Sequence, residues 1–211
     1  EGMAVGMSYF RQKRELTDAT IQKFGLGFCP SRGDRMSKDA LAAGYKQEFL
    51  ISTGLSKARE SDGSLYDRFR DRAMFPIIDV RKNVIGFGGR VLDDSKPKYL
   101  NSPETEIFDK SRNLYGLNRA RTSRKPYFLI CEGYMDVITL HRFGFTNAVA
   151  GLGTALTPEQ VTLISRYAEE VYLCYDADEA GQKAVRAALS LFSKTGKPLP
   201  LGFPLFTKLQ R

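Results

Sequence analysis

The rhythm of apolar and polar positions along the 211-residue chain changes near residue 127. Beyond that point it is regular. Residues 127–131 (YFLIC) form a short apolar run that predicts a buried strand. Within 133–143, Val137, Ile138 and Leu140 carry helical spacing, and 147–151 (NAVAG) predicts a second strand. Thr157 before Pro158 is a helix start, with the hydroxyl as N-cap and proline in the first turn. Val161, Leu163, Ile164 and Tyr167 continue that helix, residues 171–175 (VYLCY) predict a third strand, and 179–193 a last helix stopped by Gly196. Strands alternating with helices over short connections predict a parallel sheet covered by helices. In such open sheets ligands bind at the carboxyl ends of the strands.

Before residue 127 the pattern is less regular. Residues 17–24 predict a helix capped by Thr17, and 37–43 and 46–52 predict two more helical pieces. Residues 73–80 and 84–92 read as two strands joined by a turn at 81–83, and 93–103 as a polar, turn-rich stretch. No internal repeat or low-complexity segment stands out. The expected fold class is α/β: an α+β subdomain, 1–125, followed by a parallel-sheet α/β domain, 126–211. The length agrees with one large or two small domains at ~150 residues each.

Charge follows the same division. Residues 1–128 hold 24 basic and 16 acidic side chains, and residues 129–211 hold 8 of each, so the whole net charge of +8 lies in the first part. That asymmetry suits a polyanion-binding region beside a neutral one, or else charge carried for solubility. No apolar run approaches the ~20 residues of a membrane span, and the first residues lack the pattern of a signal peptide. The chain starts at Glu1 rather than Met, so a piece of a longer protein is expected. Cys29, Cys131 and Cys174 are far apart, without a CxxC pair, and His141 is the sole histidine, so no zinc site is expected. Nor is a disulfide framework, which suggests a reducing, cytoplasmic compartment. The cysteines read as small core hydrophobes and His141 as a structural residue.

Acidic residues sit where a parallel sheet would place a ligand. Glu132 follows the first predicted strand, and Asp176 and Asp178 follow the third, so three carboxylates should meet at one sheet edge. Asp136 lies one helical turn after Glu132. Like charges gathered this way call for a hard divalent cation, and Mg²⁺ suits oxygen donors and phosphate substrates. Gly133 and Gly181 leave room for a close approach. Read singly, each acid is an ordinary helix cap; for the set as a whole, capping is a poor account.

The cluster Gly86-Phe87-Gly88-Gly89 lacks the G-K-[ST] ending of a phosphate loop and predicts a tight strand instead. Arg90, Lys98, Tyr99 and Asn101 follow it. Cations beside an aromatic ring and an amide suit a track for single-stranded nucleic acid. Arg68, Arg70 and Arg72 alternate, and read as one face of a strand or as a solvated surface.

With these residues in view, EGYMD (132–136) and DADEAG (176–181) resemble the Toprim signature of bacterial primases, topoisomerases and small nucleases. YDRFRDRAMFPI (66–77), VIGFGGRV (84–91) and PKYLNSPET (97–105) resemble the RNA polymerase core of bacterial replicative primases of the DnaG type, and the likeness covers roughly residues 8–195. That resemblance implies synthesis of short RNA primers on a single-stranded DNA template from ribonucleoside triphosphates, with Mg²⁺ or Mn²⁺. It implies a nucleotidyltransferase acting in DNA replication at the fork, in the cytoplasm, as a monomer and without a membrane. Carried over by motif, Glu132, Asp176 and Asp178 hold metal and act in catalysis, with Asp136 as an acidic neighbour. Arg90, Lys98, Tyr99 and Asn101 match a groove guiding template or nucleotides, and Arg14 corresponds to a further groove arginine. The family's zinc-binding module is missing, and a replicative helicase partner is expected only of the full-length protein. A further acidic pair is missing too: no Asp or Glu follows Glu179, and the tail 196–211 does not resemble the family. The second domain is therefore expected to be incomplete at its carboxyl end. Two alternatives stand beside primer synthesis. One is a fragment that binds single-stranded DNA and metal without polymerising. The other is a different Toprim enzyme, a nuclease or a topoisomerase relative, the latter needing a nucleophilic tyrosine domain for which this chain has no room.

Overall fold

The computed structural model describes residues 2–31, 33–153, 155–194 and 201–202, with no account of the side chains of residues 2, 3, 201 and 202. Contacts divide the chain into two compact units, Glu1–Pro76 with Ile85–Phe108, and Ile77–Val84 with Asp109–Arg211.

The first unit opens with α1 (Gly2–Ser8), which runs into a π-helical turn, Tyr9–Lys13. Next comes α2 (Asp18–Phe24), capped as predicted: the Thr17 hydroxyl accepts the Thr20 N–H at 3.2 Å, and Gly25 ends the helix at φ 64°. A short strand β1 (Gly27–Cys29) leads to α3 (Arg35–Ala42) and α4 (Gln47–Ser52). The first of these starts two residues before the predicted 37, because its cap comes from a distant strand. In the hairpin β2 (Ser56–Ala58) and β3 (Leu65–Asp67), the buried Asp67 carboxylate accepts the Met36 and Ser37 N–H groups, both at 2.9 Å, and the Ser37 hydroxyl at 2.6 Å. Strands β4 (Arg72–Ile78), β5 (Val84–Val91) and β6 (Tyr99–Asn101) complete a four-stranded sheet in the order β1-β4-β5-β6. The predicted turn between the two long strands is built by Asp79, whose carboxylate accepts the Arg81 and Asn83 N–H groups at 2.8 Å. The stretch 93–103, expected to be polar and turn-rich, also contains β6. A three-residue strand is too short to show alternation and is recruited by the edge of β5.

Gly86-Phe87-Gly88-Gly89 lies in strand β5, as expected, and Gly86 and Gly89 face close neighbours. A Cβ on Gly86 would lie 3.2 Å from the Phe108 ring, and one on Gly89 would lie 2.8 Å from Phe69 and 3.0 Å from Arg72 Cδ. The alternating arginines correct the reading of them as one strand face or a solvated surface. Arg68 donates to the Asn101 carbonyl at 3.1 Å, and the buried Arg72 donates to the carbonyls of Gly89 at 3.1 Å and Pro97 at 3.0 Å. Only Arg70 of the three is exposed.

In the second unit, a 3₁₀ turn (Lys110–Arg112) and α5 (Leu117–Ala120) precede the alternating region. That region runs β7 (Tyr127–Cys131), α6 (Tyr134–Arg142), β8 (Ala148–Ala150), α7 (Pro158–Ile164), β9 (Glu170–Cys174) and α8 (Glu179–Lys194). The sheet is parallel, with β7 between β8 and β9, and a short strand β10 (Leu201–Gly202) joins the outer edge of β9. Helix cover explains why β7 reads as a continuous apolar run. Its core gathers Phe128, Ile130, Val149, Val161, Ile164, Val171, Leu173 and Phe192. Thr157 and Gln160 form the reciprocal cap expected at α7. The same two side chains also donate to the backbone carbonyls of Ser111, Lys110 and Asn113. His141 is buried, with its Nε2 3.0 Å from the Ala148 carbonyl oxygen, as its structural reading required. Cys131 is a core residue, whereas Cys29 and Cys174 are only half-buried. The predicted helix stop at Gly196 lies outside the described residues. Among the described residues no helix is long and apolar enough to cross a membrane.

Candidate acidic site and basic face

Strands β7 and β9 are parallel neighbours, paired in register from Tyr127↔Glu170 to Cys131↔Cys174. Their carboxyl ends therefore share one edge. Glu132 leaves β7 directly, while Tyr175 intervenes before Asp176 because β9 ends one residue earlier than predicted. The edge is closed by a side chain: Glu132 Oε1 accepts the Asp176 N–H at 2.9 Å. Asp178 Oδ1 accepts the Gly181 N–H at 2.9 Å in the first turn of α8, and Asp136 Oδ2 accepts the Gly133 N–H at 3.1 Å in front of α6. Two of the four acids thus do act as helix caps, each with one oxygen.

The four carboxylates nonetheless form one electrostatic group. The Glu132 carboxyl is held above its ordinary value, chiefly by partial burial. The Asp176 N–H opposes that rise, while the charges of Asp176, Asp178 and Asp136 add to it. All donors are hard oxygens, the chemistry that Mg²⁺ or Mn²⁺ selects. Gly181 supplies the cradle: a Cβ there would lie 2.9 Å from Glu132 Oε1 and collide with the Asp176 carbonyl. The donor set and the cradle fit a divalent cation. As the side chains stand, no three His, Cys, Asp or Glu among the described residues are gathered closely enough to ligate one ion.

The same cradle makes a prediction. Gly181→Ala drives a methyl group into backbone that cannot step aside, so the fold should lose about 1–3 kcal/mol, the usual range for overpacking. Urea unfolding of the variant against the parent measures it; an unchanged midpoint would mean that α8 can shift away from the edge.

The first unit carries a basic face around one aromatic ring. Arg14 Nε donates to the Tyr9 hydroxyl at 2.9 Å, and its guanidinium lies 5.4 Å from the centre of that ring. Arg90 lies 5.4 Å from the same ring and 5.9 Å from that of Tyr99, its register partner across β5 and β6. Its Nη1 donates to the Val91 carbonyl at 3.0 Å, while its buried Nε has no hydrogen-bond partner. Gly88 pairs with Asn101, which puts Asn101 on the Tyr99 side of the sheet. Arg14, Arg90, Tyr99 and Asn101 are thereby brought together. Lys98 precedes the strand and is exposed, and its carbonyl accepts the Val91 N–H. Tyr9 was missed in the sequence; it belongs to an N-terminal π-helical turn with no cap or periodic signal to mark it.

Comparison with known proteins decides what this pairing of features belongs to. Residues 2–121 match the family described as "DNA primase catalytic core, N-terminal domain", and residues 129–204 match a Toprim-like family. The chain belongs to the DNA primase catalytic core family. A DNA primase of Clostridium acetobutylicum is 47% identical over 184 residues, covering 87% of this chain and 30% of the relative. One of Deinococcus radiodurans is 49% identical over 179 residues, covering 83% and 31%. The chain therefore spans about a third of the length of these curated relatives. Among solved structures, the E. coli primase catalytic core superimposes with a TM-score of 0.88 at 39% identity, over 100% of this chain and 68% of that one. A DnaG primase catalytic domain bound to ssDNA gives 0.83 at 41% identity, over 96% of this chain and 66% of that one. The Toprim-like match runs to residue 204 and takes in β10. This corrects the reading of the tail from 196 as wholly unlike the family.

Proposed function

We propose that this primase-family chain is the part of a primase that joins ribonucleotides into short RNA primers on single-stranded DNA during replication. The observation that carries the reading is the closed acidic edge, where Glu132 grips the backbone of Asp176 across two parallel strands. Supporting it are the Toprim-like match over that region and the structural neighbour, a DnaG primase catalytic domain bound to ssDNA. In this reading Glu132, Asp176 and Asp178 hold Mg²⁺ or Mn²⁺, and Asp136 orders Gly133 at the start of α6. A bound divalent cation would supply charge neutralisation for a triphosphate and acidify an attacking hydroxyl. Arg14, Arg90, Lys98, Tyr99 and Asn101 belong to the template and nucleotide face. Two domains, 1–125 and 126–211, are part of this proposal; the family matches over 2–121 and 129–204 support such a division. A cytoplasmic place at the replication fork, a monomeric state and a helicase partner for a longer protein complete the reading.

A second reading has its own observation. No acidic residue follows Glu179, so a further acidic pair is lacking from this polypeptide, and it binds template and metal without polymerising. Incubating the chain with a single-stranded oligonucleotide, labelled ribonucleoside triphosphates and Mg²⁺ separates the two. Short labelled RNA that disappears with a chelator is expected of a primase core. Template binding without any product supports the binding fragment instead.

A further inference from the structure

Beneath the acidic edge lie two cysteines that the proposed function does not use. Cys131 and Cys174 are register partners and the last pair of the β7–β9 ladder. In parallel strands such register partners point to the same face of the sheet, so the two thiols are neighbours across the β7–β9 ladder. Their hydrogen bonds are weak: Cys131 Sγ lies 3.9 Å from the Leu129 carbonyl oxygen and Cys174 Sγ 3.7 Å from that of Tyr172. Adjacent strands stand about 4.8 Å apart, inside the roughly 4.4–6.8 Å between Cα atoms that a disulfide spans. Closing the bond asks only that the two Cβ atoms draw in to about 3.5–4.5 Å. Cys174 is half-buried and Cys131 is 1% exposed, so an oxidant reaches Cys174 first.

We propose that Cys131 and Cys174 are an oxidisable dithiol, closed by a peroxide into an intramolecular disulfide directly under the Glu132–Asp176 link. The Cys174 sulfur attacks one oxygen of hydrogen peroxide; the O–O bond breaks and one water leaves, giving a sulfenic acid. The Cys131 sulfur then attacks the Cys174 sulfur, the S–O bond breaks, and the departing hydroxide takes up the Cys131 proton as a second water. Two thiols lose two electrons and one peroxide gains them. The bond forms one residue before Glu132 and two before Asp176, so it ties the strand ends that carry the acidic edge. This holds whether or not the chain makes primers, since it depends on strand register alone.

The test uses the whole reduced chain, with Cys29, on β1 of the other unit, as internal reference. After hydrogen peroxide, free thiols are alkylated, the protein is digested and the peptides are weighed. The expected product joins the Cys131 and Cys174 peptides with loss of two hydrogens, leaves Cys29 alkylated, and reverts with dithiothreitol. In Cys174→Ser the linked species should vanish while Cys131 stays alkylatable after denaturation. Full alkylation of both cysteines after peroxide, Cys174 trapped as an unlinked sulfinic acid, or linkage through Cys29 would overturn the proposal.

Discussion

Glu132→Gln combined with Asp176→Asn is expected to weaken Mn²⁺ binding by at least ~10–100-fold, since loss of mere outer partners of a metal site already costs that much. If the chain makes primers, synthesis should fall by about 100-fold or more, given the several kcal/mol that a metal contributes to phosphoryl chemistry. In the metal-free protein the raised Glu132 carboxyl is ionised at a cost. The folded state keeps the Glu132 proton to higher pH than the unfolded chain does, so stability falls as pH rises from the ordinary value of 4.5 through the raised one, and stays lower above it. At neutral pH without metal, Glu132→Gln alone should therefore raise the thermal midpoint, by no more than about 2 °C because solvent screens this exposed edge. Mn²⁺ should reverse the order, stabilising the parent and not the variant. Calorimetric titration gives the affinity and thermal scans give both midpoints. Equal Mn²⁺ affinity in parent and double variant would place the cation elsewhere.

The acidic edge was legible because its signals are local. A continuous apolar run, an acid directly after it and a helix start occur within a few residues at Glu132 and again at Asp176, and the parallel register follows from the alternation. Thr157, Pro158 and Gln160 announce α7 in the same way. The first unit was harder because its structure is held by distant partners. β1, β2, β3 and β6 are three residues long, too short for a period of two to be seen. The start of α3 depends on Asp67, thirty residues away from Ser37 and placed by a hairpin with no apolar alternation of its own. Arg68 and Arg72 look like a solvated stripe in sequence, yet they hold backbone carbonyls inside the unit, which only the fold of β4 and β5 brings within reach. The basic face was legible in part. Arg90 and Tyr99 flank a recognisable turn, but the ring that joins Arg14 to Arg90 belongs to Tyr9, and no spacing rule connects those three positions.

Lys98→Ala and Tyr99→Ala should weaken binding of single-stranded DNA in two different ways. All of the +8 excess lies before residue 129, so binding is expected to be mainly electrostatic and to reside in that part of the chain. Lys98 is exposed, without an ion pair among the described residues, and free to meet a phosphate. Each single-strand phosphate contact contributes about −0.7 to the slope of log K against log salt, so Lys98→Ala should flatten the slope by roughly that amount. Tyr99 is 40% exposed and has the Arg90 guanidinium 5.9 Å from its ring centre, leaving ring surface for a base. Removing a stacking ring costs about 1–3 kcal/mol per base, so Tyr99→Ala should lower affinity by about 5- to 150-fold with the salt slope nearly unchanged. Tyr99→Phe keeps the ring and should bind like the parent, which separates stacking from any part played by the hydroxyl. Arg90 is the control for architecture. It is buried between two rings, so Arg90→Ala should lower the urea midpoint as well as the affinity, whereas Lys98→Ala should leave the midpoint alone. Fluorescence anisotropy with a labelled oligonucleotide at several salt concentrations reads affinity and slope together. Parental affinity and slope in both Lys98→Ala and Tyr99→Ala would remove this face from template binding and leave its charge as a device for solubility.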